Sequence, residues 1–331
     1  MLRIHFTAHD LARMKIAAEP DPLWEVLLSL HMAQSSGGEL IYGNWRRNAN
    51  TTARQPDLVL LRELAPPNGY SPDFLTPPAA GSDLDEALDH LLSTPRTDVR
   101  AQLDYLASRR AATPWTRALA SGKSDPMRRL GYAVRSYHET AIAPYWRSIR
   151  GHVVADRARR VQQWTSHGVD HFLANLHPRV RWTPPVLQIF DFVDTDVYLD
   201  GRGLLLQPSF FCWQAPTKLR DTDLPPVLVY PTQPPPGTLH RLELGGPNVT
   251  RHSELAALLG RTRAEALKAT AAGCTTSELA LLCGVSVAAA SQQATVLREA
   301  GLITTRREGG AVRHEITGLG LSLLNGAGLP V

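Results

Sequence analysis

The chain has 331 residues, 43% of them apolar and 20% charged, which excludes an intrinsically disordered chain and allows two or three domains with a sizeable core. Its formal net charge is only +4, with a pI near 9.1, so affinity for nucleic acid would have to come from a local basic patch and not from total charge. Three cysteines, Cys212, Cys274 and Cys283, are too few and too scattered for a disulfide framework, and no apolar run reaches the ~18 residues of a membrane span.

The N-terminus, MLRIHFTAHDLARMK, lacks the apolar centre of a signal peptide, so a reduced, cytoplasmic protein is expected. Leu2 to Phe6 has a strand pattern, and Thr7 caps a brief helical turn over Ala8–Arg13. Pro20 and Pro22 open a helix with Leu23, Val26, Leu27 and Leu30 on one face. Residues 35–56 are polar and poorly patterned and read as loop. Asp57–Leu64 reads as a short helix ended by Pro66-Pro67, before a rigid aromatic loop from Gly69 to Pro78. Ser82 with Asp85 resembles a capping start before Leu84, Leu88, Leu91 and Leu92. Helices are then expected over 96–111, 125–141 and 144–165, punctuated by Pro114, Pro126 and Pro144 and packed as a bundle.

From Val180 to Tyr230 the signal changes to short strands. Val186–Phe190, Asp196–Leu199, Leu204–Leu206 and Val227–Tyr230 alternate with turn signals such as Asp200-Gly201-Arg202-Gly203. Trp182, Phe190, Phe192, Tyr198, Phe210, Phe211 and Trp213 either form a sheet core or line an apolar ligand pocket; six of them, Trp182, Phe190, Tyr198, Phe210, Phe211 and Trp213, are the pocket candidates. His167 with His171, like His5 with His9, has an i, i+4 spacing, but neither pair has a general-base Glu beside it or a nearby Cys, so no metal is assigned. No nucleophile elbow or phosphate loop is present, and neither a catalytic residue nor a cofactor is expected. The Pro- and Gly-rich 231–247 reads as a linker.

Beyond the linker, Leu255–Ala272 has a helical pattern ended by Gly273 as a C′ residue. Thr276-Ser277 before Glu278 would cap a short helix buried through Leu279, Leu282 and Cys283, and Gly284 allows a sharp turn. Ser286 caps a second helix whose Ala290, Ala294 and Leu297 lie on one face. The opposite side carries Ala288, Ser291, Gln292 and Thr295, with Gln293 at the edge and Arg298 one turn further. Gln can pair bidentately with adenine, and Ser or Thr can bond bases or phosphates; the cap at Ser286 also suits a phosphate. A hairpin follows, Ile303–Arg307 and Ala311–Thr317 about a Glu308-Gly309-Gly310 turn, with Arg306, Arg307 and Arg313 at or beside its tip for phosphate or minor-groove contact. Leu319–Leu324 closes the chain as a short apolar helix.

Through Ser286-Val287-Ala288-Ala289-Ala290-Ser291-Gln292-Gln293, Val296 to Ile303, the hairpin, and Thr317-Gly318-Leu319-Gly320, the stretch Glu254–Leu324 resembles the ArsR-type winged-helix transcriptional regulators. The resemblance implies dimers that place two recognition helices in successive major grooves, often repressors released by a ligand. It also implies dimerisation through Leu255–Leu267 and Leu319–Leu324. Where the metal-sensing members carry paired cysteines, this chain has Thr275 and Ser277; Cys274 is one place off, and Cys283 falls where a buried leucine is usual. The family's metal sensors are also much shorter, and the long front part resembles more loosely that of large ArsR-like regulators of unassigned ligand.

The expected fold is α+β: a mostly helical N-terminal domain (1–240; helical over 1–178, strand-rich over 179–231) with a small antiparallel sheet, then a winged helix-turn-helix over 248–331. The expected function is sequence-specific binding of a double-stranded DNA operator by a homodimeric repressor, with the N-terminal domain holding a small-molecule effector or mediating dimerisation, and with no membrane partner. An enzyme domain fused to a DNA-binding module, and a winged helix used for protein contacts, are the alternatives.

Overall fold

The computed structural model describes residues 1–331 apart from 53–54, 79–82, 235–237, 240–254, 256–257, 271–272, 309–310 and 326–331. The expected cap at Ser82, most of the expected linker and the hairpin's Gly309-Gly310 lie outside the described residues. The chain divides into two compact units, 1–240 and 241–331, and both helices and small sheets are present.

Unit 1 starts with β1 (Leu2–His5), α1 (Ala8–Ala12) and β2 (Lys15–Ile16). Thr7 caps α1 in a reciprocal capping box with Asp10. The helical part holds α2 (Pro22–Ala33), α3 (Glu39–Thr52), α4 (Gln55–Leu64), α5 (Leu84–Leu92), α6 (Arg96–Arg109), α7 (Pro114–Ala120), α8 (Ser124–Tyr137) and α9 (Trp146–Ala174). A single π turn over His138–Ile142 leads out of α8, and α9 is broken at Gly168, whose φ is +83°. Asp21 caps α2 through the N–H groups of Leu23 and Trp24.

Two of these helices correct the expectations. The stretch read as loop contains α3, because Tyr42, Trp45 and Ala49 recur on one face and are fully buried. Their polar edges are satisfied at long range: Tyr42 Oη donates to the Phe210 carbonyl at 2.7 Å and Trp45 Nε1 to the Ala141 carbonyl at 2.8 Å. No helix is expected from the sequence between 111 and 125, yet Pro114 starts α7 there at its first turn, behind a Thr113–Thr116 capping box.

The single antiparallel sheet expected in unit 1 is replaced by two four-stranded mixed sheets. The first runs β3 (Val180–Thr183), β4 (Val186–Ile189), β1, β5 (Thr195–Tyr198); β1 is antiparallel to β4 and parallel to β5. The second runs β2, β6 (Leu205–Ser209), β8 (Val227–Pro231), β7 (Thr217–Lys218), with β2, β6 and β8 parallel. β1 and β2 thus complete sheets whose other strands all lie within residues 180–231. Two cores result. One joins the helices to Phe210, Phe211, Cys212, Val227 and Val229. The other packs Leu2, Ile4, Phe6, Phe172, Leu173 and Trp182 with Leu187, Ile189, Leu206 and Tyr230. A buried carboxylate ties α2 to the end of β6: Glu25 accepts the N–H groups of Phe210 (2.8 Å) and Phe211 (3.0 Å) and the Ser209 hydroxyl (3.1 Å).

Unit 2 contains α10 (Arg261–Ala269), β9 (Cys274–Thr275), α11 (Thr276–Cys283), α12 (Val287–Glu299), β10 (Ile303–Glu308), β11 (Ala311–Ile316) and α13 (Gly318–Asn325). The expected helix from Leu255 is interrupted at Gly260, whose φ is +84°, so the regular helix begins at Arg261. The sheet order is β10-β11-β9, antiparallel throughout. Leu267, Leu279, Ala290, Ala294, Leu297, Leu302 and Ile303 form its core.

Candidate nucleic-acid interface

The chemistry-bearing side chains of unit 2 are placed by two short helices and a hairpin. Thr275, and not Thr276 or Ser277, caps α11: its hydroxyl accepts the Glu278 N–H at 3.3 Å while Glu278 Oε2 accepts the Thr275 N–H at 2.8 Å. Gly284 ends α11 in the left-handed region at φ +63°, and the Val285 N–H reaches back to the Ala280 carbonyl at 3.0 Å. Ser286 then caps α12, accepting the Ala289 N–H at 3.2 Å. The turn of so few residues bends α11 against α12 by 104°.

α11 buries Leu279 and Ala280, with Cys283 half-buried. Leu282, expected inside, is 65% exposed, and Leu281 is 83% exposed. Burying Ala280 beside Leu279 centres the inner face on Cys283, one turn on, and swings Leu282 outward. On α12 the expected division holds for the inner face: Ala290, Ala294 and Leu297 are buried. Ser286, Ala288, Ser291, Gln292 and Arg298 are exposed.

Two members of the expected reading set are engaged within the protein. Gln293 is half-buried, and its Oε1 accepts from Arg263 Nε of α10 at 3.1 Å. The Thr295 hydroxyl donates to the Ser291 carbonyl at 2.9 Å, one turn back along its own helix. Val287 is 53% exposed at the first position of α12 and joins this outer face. The outward face of α12 is therefore Val287, Ala288, Ser291 and Gln292, uncharged, with Arg298 a turn and a half beyond.

In the hairpin, Arg306 stands opposite Arg313, and Arg307 opposite Val312. Arg306 is exposed; Arg313 is half-buried, 3.6 Å from Glu315 and packed over Gly273. The Arg307 side chain lies outside the described residues. Between the hairpin and α11 sits His314, which pattern reading passed over. It is only 4% exposed, with the Thr276 hydroxyl 2.9 Å from Nε2 and the Thr305 hydroxyl 3.1 Å from Nδ1.

Of the two positions compared with metal-ligand cysteines, Thr275 is the helix cap and Ser277 is exposed; Cys274, one place off, is buried, its thiol pushed up by burial. Among the described residues no group of three or more His, Cys, Asp or Glu is arranged to hold a metal. His167 and His171 have ring centroids 4.8 Å apart, and His5 is bonded to Asp196 at 2.7 Å.

The six pocket aromatics of unit 1 do not line one cavity. Phe210 and Phe211 are buried in the helical core with Trp213 packed against it, whereas Trp182 belongs to the other core, its Nε1 donating to Asp170 at 2.7 Å. Tyr198 is 58% exposed and stacked on His5, and Phe190 lies half-buried under Arg181. They separate because β3 and β5 belong to one sheet while Phe210 to Trp213 leave the other. A shallow cleft of about 20 Å³, lined by Ile4, Val197, Leu199, Lys218, Asp221 and Val227, includes none of the six. No described helix is by itself long and apolar enough to cross a membrane.

No protein-family model matches this chain, and neither a curated protein nor a solved structure matches it.

Proposed function

We propose that unit 2 is a winged helix-turn-helix domain and that the protein is a sequence-specific DNA-binding transcriptional regulator, acting as a dimeric repressor. The observation that carries this is the outer face of α12, with Ala288, Ser291 and Gln292 exposed beside a hairpin that sets Arg306 against Arg313. Amide and hydroxyl side chains on a helix suit base edges in a major groove, and guanidinium groups suit phosphates. The 104° bend falls within the range of about 90–120° common to helix-turn-helix pairs. Leu258 and Leu319 are exposed apolar residues in the two segments through which ArsR-type regulators dimerise. Unit 1 would hold an effector or add to the dimer interface, and an effector would act by its different affinity for two spacings of the α12 pair.

The test is electrophoretic mobility shift with the duplex upstream of the protein's own gene. A retarded band at low salt, weakened by Gln292→Ala and by Arg307→Ala, is expected. No band at low salt sinks the proposal.

A second reading, a winged helix used for protein contacts, is favoured by the exposed Leu281 and Leu282 on α11. It predicts a complex that survives high salt and loss of Gln292, and is broken by Leu281→Ser.

A further inference from the structure

His314 occupies a joint between three elements. It is a β11 residue, its cross-strand partner on β10 is Thr305, and its partner on β9 is Cys274. Its ring reaches past β9 to Thr276, the first residue of α11. Both ring nitrogens are therefore used, one on the hairpin and one on the helix that leads into α12. Hydroxyls can donate or accept, so a neutral imidazole is satisfied in either tautomer. Burial, with the nearby Arg298, holds the ring in that neutral form.

The position of this joint matters more than its strength. The next cross-strand pair toward the tip is Arg306–Arg313, followed by Arg307–Val312. β9 pairs with β11 only at His314 and Arg313, so beyond that level the hairpin is a two-stranded ribbon, and what fixes it at His314 helps to fix the direction of the arginines near its tip. The hairpin's base is held at Leu302 by the Thr317 N–H, at 3.0 Å, and at the Gly301 carbonyl by the Thr317 hydroxyl, at 2.7 Å. His314 supplies a bond from the middle of the hairpin to α11.

We infer that His314 is a positioning residue for DNA binding, holding the hairpin at a fixed angle to α11 and α12 so that Arg306 and Arg307 reach phosphates while the α12 face reads bases. This rests on the DNA-binding reading above. Thr276 and Thr305 are the two other members of the joint.

The salt dependence of binding separates positioning from mere stability. Each phosphate contact contributes about −0.9 to the slope of log K against log salt concentration. Thr276→Val keeps the side-chain shape and removes the hydroxyl that anchors His314 to α11. In the full-length protein with its operator duplex, this variant is expected to lower the magnitude of the slope by about 2, one contact for each of Arg306 and Arg307. Thr276→Ser, which keeps the hydroxyl, should restore it. The preference for operator over random duplex, set by α12, should persist in both. If Thr276→Val fails to fold, as seen by circular dichroism, Thr305→Val and His314→Gln provide the same reading. A slope unchanged in a folded variant, even with a lower melting temperature, overturns the inference. An unaltered chain that binds no duplex at low salt overturns the DNA-binding reading and the inference with it, whereas an unchanged slope overturns the joint alone.

Discussion

Arg306 and Arg313 face each other as cross-strand partners in the hairpin, two like charges partly offset by Glu315, 3.6 Å from Arg313, and by Glu278 near the same guanidinium. Like charges directly opposite destabilise a strand pair by a few tenths of a kcal/mol to about 1 kcal/mol. A polyanion laid across the pair would relieve that repulsion. Arg306→Thr is therefore expected to raise the thermal stability of unit 2 slightly, by about 0.5 kcal/mol, while reducing the magnitude of the salt slope of DNA binding by about 1. Calorimetry and fluorescence anisotropy at several salt concentrations measure the two effects. If stability and affinity change in the same direction, the pair has no phosphate-binding role.

Gln292 and Gln293 are neighbours with different work. Gln292 is exposed, and Gln293 is tied to Arg263 of α10. Gln292→Ala is expected to reduce discrimination between the operator and a duplex with one A·T pair changed by about 1–3 kcal/mol. Gln293→Ala should leave discrimination largely intact and lower stability by about 1 kcal/mol, as for loss of one internal hydrogen bond. A double-mutant cycle with Arg263→Ala should return a coupling of similar size. Equal loss of discrimination in the two single variants would contradict this division.

Local signals explain why so much of unit 2 was legible in the sequence. Gly284, Ser286, the inner Ala290-Ala294-Leu297 face and the hairpin strands each announce themselves within a few residues. The errors there were of one position or one face: the cap at Thr275, the outward Leu282, the inward Gln293. Unit 1 was less legible because its defining relations are long-range. Arg3 pairs with Gln188 on one side and Asp196 on the other, and nothing near Arg3 encodes either partner. α3 was hidden by composition, since arginines and asparagines surround its buried Tyr42, Trp45 and Ala49. The six aromatics looked like one group only because they are close in sequence. His314 left no pattern at all, as its partners Thr276 and Thr305 are 38 and 9 residues away.

Gly284 is a place where the backbone decides. Its φ is +63°, and a Cβ there would meet nothing within 4 Å, so a substitution is limited by conformation and not by space. Gly284→Ala is expected to destabilise unit 2 by about 1–2 kcal/mol, and Gly284→Asn by less, because Asn tolerates the left-handed region. Urea unfolding monitored by circular dichroism checks both. Equal losses for Ala and Asn would show that crowding, not φ, sets the penalty.

A buried carboxyl, Glu25, and a half-buried imidazole, His31, pull the pH dependence of unit 1 in opposite directions. Burial pushes Glu25 up from its ordinary 4.5 to about 7, against the lowering effect of the Phe210 and Phe211 N–H groups and the Ser209 hydroxyl. Burial holds His31, 3.0 Å from the Ser71 hydroxyl, down from 6.5 to about 4. For a carboxyl raised on folding, the folded state binds more protons between pH 4.5 and 7, so its contribution is present below that window and is lost as pH rises through it. For a histidine lowered on folding, the unfolded state binds more protons between pH 4 and 6.5, so its contribution is present above that window and is lost as pH falls. At ~1.4 kcal/mol per pH unit each effect is worth up to about 3 kcal/mol across its window. Relative to the unaltered chain, Glu25→Gln should make unfolding free energy rise more steeply with pH between about 5 and 7, and His31→Gln should make it rise less steeply between about 4 and 6. The measurement is urea unfolding at half-unit pH steps, comparing slopes and not absolute stabilities. A Glu25→Gln curve parallel to that of the unaltered chain would mean that the three donors keep Glu25 ionised throughout.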